Sequence, residues 1–254
     1  MQKQYAPLTN NQWKVIKQFL NWKRKRKLNL RVVFNAILYV TRTGIQWRNL
    51  SQTRFPAWDA VYYYFYKWSR DGTLDLINHA LNRLERCIKG RKPWPTLGLA
   101  DSQSIKLAPM IYEHRGTDGF KKVNGRKRHI LTDVIGRIYA THLHAASLHD
   151  SPEGVQLLRD AESIIDNLEM IMADKTYRGT FARAVADLGI GFQVPERDEN
   201  VTGFVVEAKR WVVERTFAWL NFYRRTVIDY EHTVESSAAH LKLANISMAM
   251  QILD

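Results

Sequence analysis

The sequence predicts two units in series: an all-α, strongly basic unit over 1–95, and an α/β unit over 96–254 whose sheet mixes parallel and antiparallel strands. Charge predicts the division. Of 38 Lys/Arg and 25 Asp/Glu in 254 residues, the first 95 residues hold 19 and 4, a net of +15, and the remainder is close to neutral at −2. Hydrophobic spacing predicts the classes. Apolar residues recur at helical intervals up to about residue 90 and at alternating, strand-like intervals after 96. The run Gly90-Arg91-Lys92-Pro93-Trp94-Pro95 separates the two, because glycine ends a helix and proline resists continuing one.

The helices of the first unit follow in order. Thr9 or Asn10 caps a helix carrying Trp13, Ile16 and Leu20. Asn29 caps a second, with Val33, Ile37 and Val40 on one face and Gly44 past its end. Pro56 suits the first turn of a third, which carries Val61, Tyr62, Phe65 and Trp68 and stops near Gly72. Thr73 caps a fourth, over Leu74, Ile77, Leu81, Leu84 and Ile88. Short helices joined by basic loops make a helix-turn-helix type of DNA-binding unit. Its candidate contacts are the run Lys23, Arg24, Lys25, Arg26 and Lys27, with Arg48, Tyr62, Tyr63 and Lys67. Five adjacent cations repel one another unless an anion is near, and tyrosines on every side of a helix leave some exposed to phosphate or base edges. Trp47, Trp58 and Trp68 are read as core.

In the second unit, 96–101 is a short apolar run ending on Asp101. Residues 128–135 and 138–145 alternate around Gly136-Arg137 as a hairpin. A helix follows from Ser151-Pro152-Glu153 to about 165, then an apolar run over 168–173 ending on Asp174. A helix over 181–188, a strand over 191–194, a long helix from about 204 through Glu214 and a last helix over 236–252 complete the chain. Strand, hairpin, helix, strand, helix, strand, helix is the order of the ribonuclease-H-like fold, a mixed sheet flanked by helices.

Composition bounds the class. With 45% hydrophobic and 25% charged residues the chain is of ordinary globular composition, not disordered, collagen-like or a coiled-coil rod. Cys87 is the one cysteine, so no internal disulfide forms. No apolar window is long enough for a membrane span, and the opening MQKQYAPLTNNQWK lacks the apolar core of a signal peptide. A soluble, cytosolic protein with a polyanionic partner is expected.

Two aspartates at strand ends and a glutamate on a later helix can hold two divalent ions for in-line displacement at phosphorus. Mg²⁺ suits such a site, since it binds a few carboxylates together with substrate phosphate. Spacing alone does not select three acids out of 25.

Specific stretches do. LADSQSIK at 99–106, HRGTDGFKKVNGRKRHILTDVIG at 114–136, ADKTYRG at 173–179 and RWVVERTFAWLNFYRRTVIDYE at 210–231 resemble the DDE transposases of bacterial insertion sequences, in the insertion sequence five family. So do LTNNQWKVIKQFL, LRVVFNAILYVTRTGIQWRNL and FPAWDAVYYYFYKWSRDG in the first unit. The resemblance implies a catalytic, metal-binding triad of Asp101, Asp174 and Glu214. It implies two Mg²⁺ per site, with Mn²⁺ able to substitute. It also implies binding of terminal inverted repeats, cleavage and strand transfer on double-stranded end and target DNA, a homodimer or larger assembly, and a cytoplasmic, nucleoid-associated protein. A ribonuclease-H-like nuclease that cuts without joining and an inactive DNA-binding relative are the alternatives.

The related insertion sequence four group spaces a tyrosine, an arginine, a glutamate and a lysine along the helix of Glu214. Arg210 matches the arginine, whereas Glu207 and Asn221 stand at the tyrosine and lysine positions. On a continuous helix Arg210, Glu214 and the position of Asn221 share a face within about 40°, and Arg225, eleven residues after Glu214, shares it as well if the helix reaches that far. Arg210 is therefore expected to orient Glu214 or a phosphate, and Arg225 to stand in for the lysine. Lys121, Lys122, Arg126, Lys127 and Arg128 are expected to form a basic loop against the DNA backbone, and Lys175, beside Asp174, a further contact, with Tyr177 close by. Asp133 is read as structural. His142, His144, His149 and Asp150 lack a second ligand pair at zinc spacing and are set aside as a metal site.

Overall fold

The computed structural model describes residues 5–21, 23, 25, 27–195 and 210–254. The first unit is helical as its spacing predicts: α1 Asn10–Ile16, α2 Leu30–Thr43, α3 Trp58–Arg70 and α4 Thr73–Ile88. Thr9 and Gln12 close a reciprocal capping box on α1. Asn29 caps α2, and Gly44 ends it at φ +72°, a conformation only glycine adopts cheaply. Two caps differ from expectation. Pro56 lies ahead of α3, which Ala57 enters in extended conformation. Thr73 is the first residue of α4 instead of its cap, and Gly72 at φ +78° turns the chain into the helix.

The second unit is built on six strands: β1 Leu97–Lys106, β2 Gly116–Asp118, β3 Val123–Thr132, β4 Ile138–Ala145, β5 Met170–Met172 and β6 Gly191–Gln193. Their order is β4-β3-β1-β5-β6, and β2 pairs with the first residues of β3. The pairs β1–β3 and β3–β4 are antiparallel, while β1–β5 and β5–β6 are parallel. Helices cover both faces. Ala100, Leu131 and Ala140 pack against α5 Asp150–Asp160 and α7 Thr180–Asp187, through Leu157, Leu158, Phe181 and Val185. A short α6, Glu162–Ile165, joins that layer. On the other face Leu99, Ile130 and Leu143 meet α8 Arg210–Leu220 and α9 Val234–Ala249, through Val213, Phe217, Leu241 and Ala244.

The break at 90–95 is one of sequence and not of packing. The core of the helical unit, around Phe34, Ile37, Phe65, Trp68 and Ile77, is completed by Ala239, Leu243, Ile246 and Ala249 of α9. α9 thus has an apolar partner on both sides, and its buried positions run all round the helix. Buried polar groups tie the units further. Asn78 and Asn82 donate to Ile138 O at 2.8 and 2.9 Å, and the Asn245 amide donates to both of their side-chain oxygens. Arg86 pairs with Asp133 at 2.6 Å and Arg137 with Glu85. Asp133 also accepts from the Ile135 and Arg137 amides, so it braces the β3–β4 turn. Of the expected core tryptophans, Trp47 and Trp68 are buried and Trp58 is half-buried against the same core. No described helix is long and apolar enough to cross a membrane.

One expectation is overturned in β3. The strand begins at Val123, not 128, so Arg126, Lys127 and Arg128 form no exposed loop. All three are buried. Each is held by groups elsewhere in the chain: Arg126 pairs with Asp229 at 2.9 Å and Lys127 with Asp150 at 2.8 Å, while Arg128 donates to Gln103 and Thr226 O.

Candidate active site

Register brings Asp101 and Asp174 together. β1 and β5 run parallel with Leu97, Gly98 and Leu99 opposite Met170, Ile171 and Met172. Two residues further along each chain, Asp101 and Asp174 stand level, where β5 has ended and β1 continues to Lys106. Asp101 is therefore mid-strand, not at a strand end, but it lies at the fork where two parallel strands part, the usual ligand position of such sheets. It pairs across β3 with Ile130, whose side chain lies in the core beneath α8, so alternation places Asp101 on that face.

Local bonds hold both carboxylates. Asp101 accepts from the Ser102 amide at 2.7 Å. Asp174 caps the 3-10 turn Lys175–Tyr177, accepting from the Thr176 amide at 2.9 Å and from its hydroxyl. The Tyr177 hydroxyl is buried near both. Burial, and then the carboxylates of Asp101, Asp150 and Asp174, push its pKa well above the ordinary range.

That hydroxyl begins a hydrogen-bond chain whose direction is determined by its far end. His144 Nδ1 lies 2.8 Å from Ala145 O, and a carbonyl only accepts, so Nδ1 donates. His144 Nε2 then accepts from His129 Nε2 at 2.7 Å, and His129 Nδ1 accepts from the Tyr177 hydroxyl at 2.5 Å. Both rings are neutral for this pattern. Burial, and then His144, lowers the His129 pKa to about 3, and burial lowers that of His144. Beside them, burial would raise the Asp150 carboxyl, but the Lys127 ammonium holds it below the usual range. Tyr177, expected near DNA, instead locks the Asp174 turn onto β3. His142 belongs to another pairing, with Glu153 at 3.1 Å and Asp160 at 3.5 Å.

Glu214 reaches this face from α8. Val213 and Phe217 bury the helix against β1 and β3. Thr216 donates to Gly136 O at 3.0 Å, and Arg215 donates to Ile135 O at 2.9 Å while lying over Trp211 and Trp219. Glu214 is exposed beside Val213. Among the described residues no three His, Cys, Asp or Glu side chains stand close enough to enclose a metal ion. The oxygen donors of Asp101 and Asp174, level at the strand fork, fit a hard divalent cation. Glu214 lies on α8, the helix packed on the Asp101 face of β1.

The other candidate contacts divide. Lys23, Lys25, Lys27, Arg48, Lys67, Lys121, Lys122 and Lys175 are exposed, and Tyr63 is 59% exposed. Tyr62 is half-buried against Trp47. Arg24, Arg26 and the Arg210 side chain lie outside the described residues. Arg225 does not share the Glu214 face. α8 ends at Leu220, and the Thr226 hydroxyl lies 2.8 Å from Leu220 O and occupies its last turn. Arg225 sits in a separate turn, buried, with its guanidinium 2.6 and 2.7 Å from Glu231 Oε1.

A family model described as "Transposase DDE domain" matches residues 94–243, and one described as "Putative transposase of IS4/5 family" matches 8–78. A curated protein of Burkholderia cepacia, "Putative transposase for insertion sequence element IS402", is 34% identical over 128 residues, covering 47% of this chain. The match spans 60% of that relative's length. A simian T-cell lymphotropic virus intasome, solved in complex with PP2A regulatory subunit B56 gamma, is similar at 17% identity and a TM-score of 0.34, over 50% of this chain and 39% of that one. With a DDE domain matched over more than half its length and an IS4/5 model over most of its helical unit, the chain belongs to the DDE transposases of the IS4/5 family.

Proposed function

We propose that this protein binds the terminal inverted repeats of an insertion element through its basic helical unit, acting as a helix-turn-helix type module. It then cuts and joins DNA at a site formed by Asp101, Asp174 and Glu214. The supporting observation is that Asp101 and Asp174 each follow by two residues the last paired positions of parallel β1 and β5, Leu99 and Met172, where the two strands part. Asp101 and Asp174 would hold Mg²⁺, or Mn²⁺ in its place, with Glu214 joining from α8. When bound, such ions supply Lewis acidity at the scissile phosphate and a readily deprotonated water, two ions serving the attacking and leaving oxygens.

The chain's own groups set the geometry. Thr176 and Ser102 orient the two aspartates, and the Tyr177–His129 bond keeps their supporting turn and strand together. Exposed Lys121, Lys122 and Lys175 are placed to meet phosphate. Double-stranded end and target DNA are the proposed substrates, and a homodimer or larger assembly pairs two ends.

The test is incubation of the protein with end duplex, target duplex and Mg²⁺. Joined products support the proposal. Cleavage without joining identifies a nuclease, and binding without cleavage a DNA-binding relative. Asp174→Asn should abolish cleavage while DNA binding persists.

A further inference from the structure

A phenylalanine fully open to water is unusual, and here it is held out rigidly. Phe120 is 95% exposed in the turn between β2 and β3, with Lys121 and Lys122 directly after it. The turn is braced from below. Asp118 is buried, and one of its oxygens accepts from the Phe120 and Lys121 amides at 3.0 and 2.9 Å. The other accepts from the Ser104 hydroxyl at 2.5 Å. Burial would raise this carboxyl, but the Lys121 amide, Ser104 and the Phe120 amide hold it below the usual range, so it remains an acceptor. Lys122 adopts φ +55°, which closes the turn at a conformational cost for a residue with a side chain.

The segment before β2 is also fixed. Arg115 donates to Ala108 O at 2.6 Å, to Ile111 O at 2.7 Å and to Asn124 Oδ1 at 2.5 Å. It presents two more apolar side chains, Tyr112 at 80% and Met110 at 61% exposure. Several apolar side chains exposed on neighbouring segments mark a binding surface where a single one does not.

Position and charge indicate the partner. β1 and β3 run as a paired ribbon from Asp101, opposite Ile130, to Lys106, opposite Gly125. The Phe120 turn is anchored to that ribbon through the Asp118–Ser104 bond, at a point three residues, about 10 Å, along β1 from Asp101. The exposed charges along it are mostly cationic: Lys106, Lys121 and Lys122, against Glu113.

We infer that the Phe120 turn is a DNA contact, in which Lys121 and Lys122 bind phosphates and the Phe120 ring stacks on a base that has left the duplex stack. The inference rests on the proposed reaction at Asp101 and Asp174, and it adds a reader of opened DNA on the same strand ribbon. Stacking on an aromatic ring tolerates any base, and an apolar wedge between base steps stabilises opened DNA. Lysines bind phosphate without selecting sequence. The turn therefore prefers opened DNA over intact duplex whatever its sequence.

The test uses the full chain without metal, so that no cutting is needed. Two fluorescently labelled probes are titrated: a duplex, and the same duplex with a short unpaired bubble containing a fluorescent base analogue. The parent should bind the bubble more tightly and quench the analogue. Phe120→Ala should lose about tenfold in bubble affinity, together with the quenching, while duplex affinity is little changed. Phe120→Trp should restore both. Lys121→Ala should lower the salt dependence of binding by about one unit of log–log slope on either probe. Because Phe120 makes no core contact, a folding defect is not expected, and circular dichroism checks it.

Equal binding and quenching by the parent and Phe120→Ala overturns the inference. So does a change of oligomeric state in Phe120→Ala without DNA, which makes the turn a contact between copies of the chain. If the parent binds neither probe, the proposed DNA function itself fails, a result distinct from either.

Discussion

Arg126→Ala should unfold the protein far more than it weakens DNA binding. The guanidinium is 0% exposed, pairs with Asp229 at 2.9 Å, and donates to Glu113 O, Glu231 O and His232 O. Truncation leaves Asp229 buried, with the Ser237 hydroxyl at 2.8 Å and the Glu231 amide at 2.9 Å as its remaining hydrogen-bond donors among the described residues. Breaking one side of a buried ion pair costs about 3–5 kcal/mol. The carbonyls left without a donor add to that, each about 1 kcal/mol or more where water does not enter. Against a total of about 5–15 kcal/mol for a typical domain, a large share of stability is lost. Urea unfolding followed by circular dichroism measures it. Lys121→Ala, on an exposed side chain nearby, serves as the control and should stay within about 0.5 kcal/mol of the parent. A loss below about 1 kcal/mol for Arg126→Ala, accompanied by a lower salt slope for DNA binding, would refute this account and restore the reading of Arg126 as a phosphate contact.

Three further outcomes follow from the packing. Gly125→Ala should disrupt the β1–β3 ladder, because a Cβ there would lie 1.9 Å from Ile105 O; a soluble variant with parental melting refutes the contact. Tyr177→Phe removes the donor to His129 Nδ1 and should cost about 1–3 kcal/mol for an unsatisfied buried acceptor, read in the same urea melt, with an unchanged midpoint counting against the hydrogen-bond chain. Glu231 should make stability fall in acid. Burial would raise its pKa, but His240 and Arg225 lower it from 4.5 to about 2, so its contribution is complete above about pH 4.5 and is lost as pH falls toward 2. Glu231→Gln should flatten that part of the stability-against-pH curve, and an unaltered slope argues against the depressed value.

Local signals in the sequence carry the elements. Asn29 and Gly44 delimit α2, the alternation over 138–145 marks β4, and the glycine and prolines of 90–95 mark the step from helices to strands. The net of +15 in the first 95 residues points to a polyanion because charge adds up along a chain irrespective of fold. The motif stretches around Asp101, Asp174 and Glu214 carry the family for the same reason: each is a run of neighbours, legible without knowing what lies across from it.

What only the tertiary structure decides is pairing between distant residues. The basic run 126–128 reads as a DNA-facing loop until Asp229, Asp150, Gln103 and Thr226 are brought to it from elsewhere in the chain. Arg225 reads as a helix-face neighbour of Glu214 until Leu220 ends the helix and Glu231 takes its guanidinium. α9 reads as a last amphipathic helix of the second unit until both cores claim a side of it. A charged side chain's role depends on whether its partner is a protein carboxylate or a solvated phosphate. That choice is made by sheet register and helix packing, which set distances between residues a hundred positions apart and leave no mark on the spacing of either one alone.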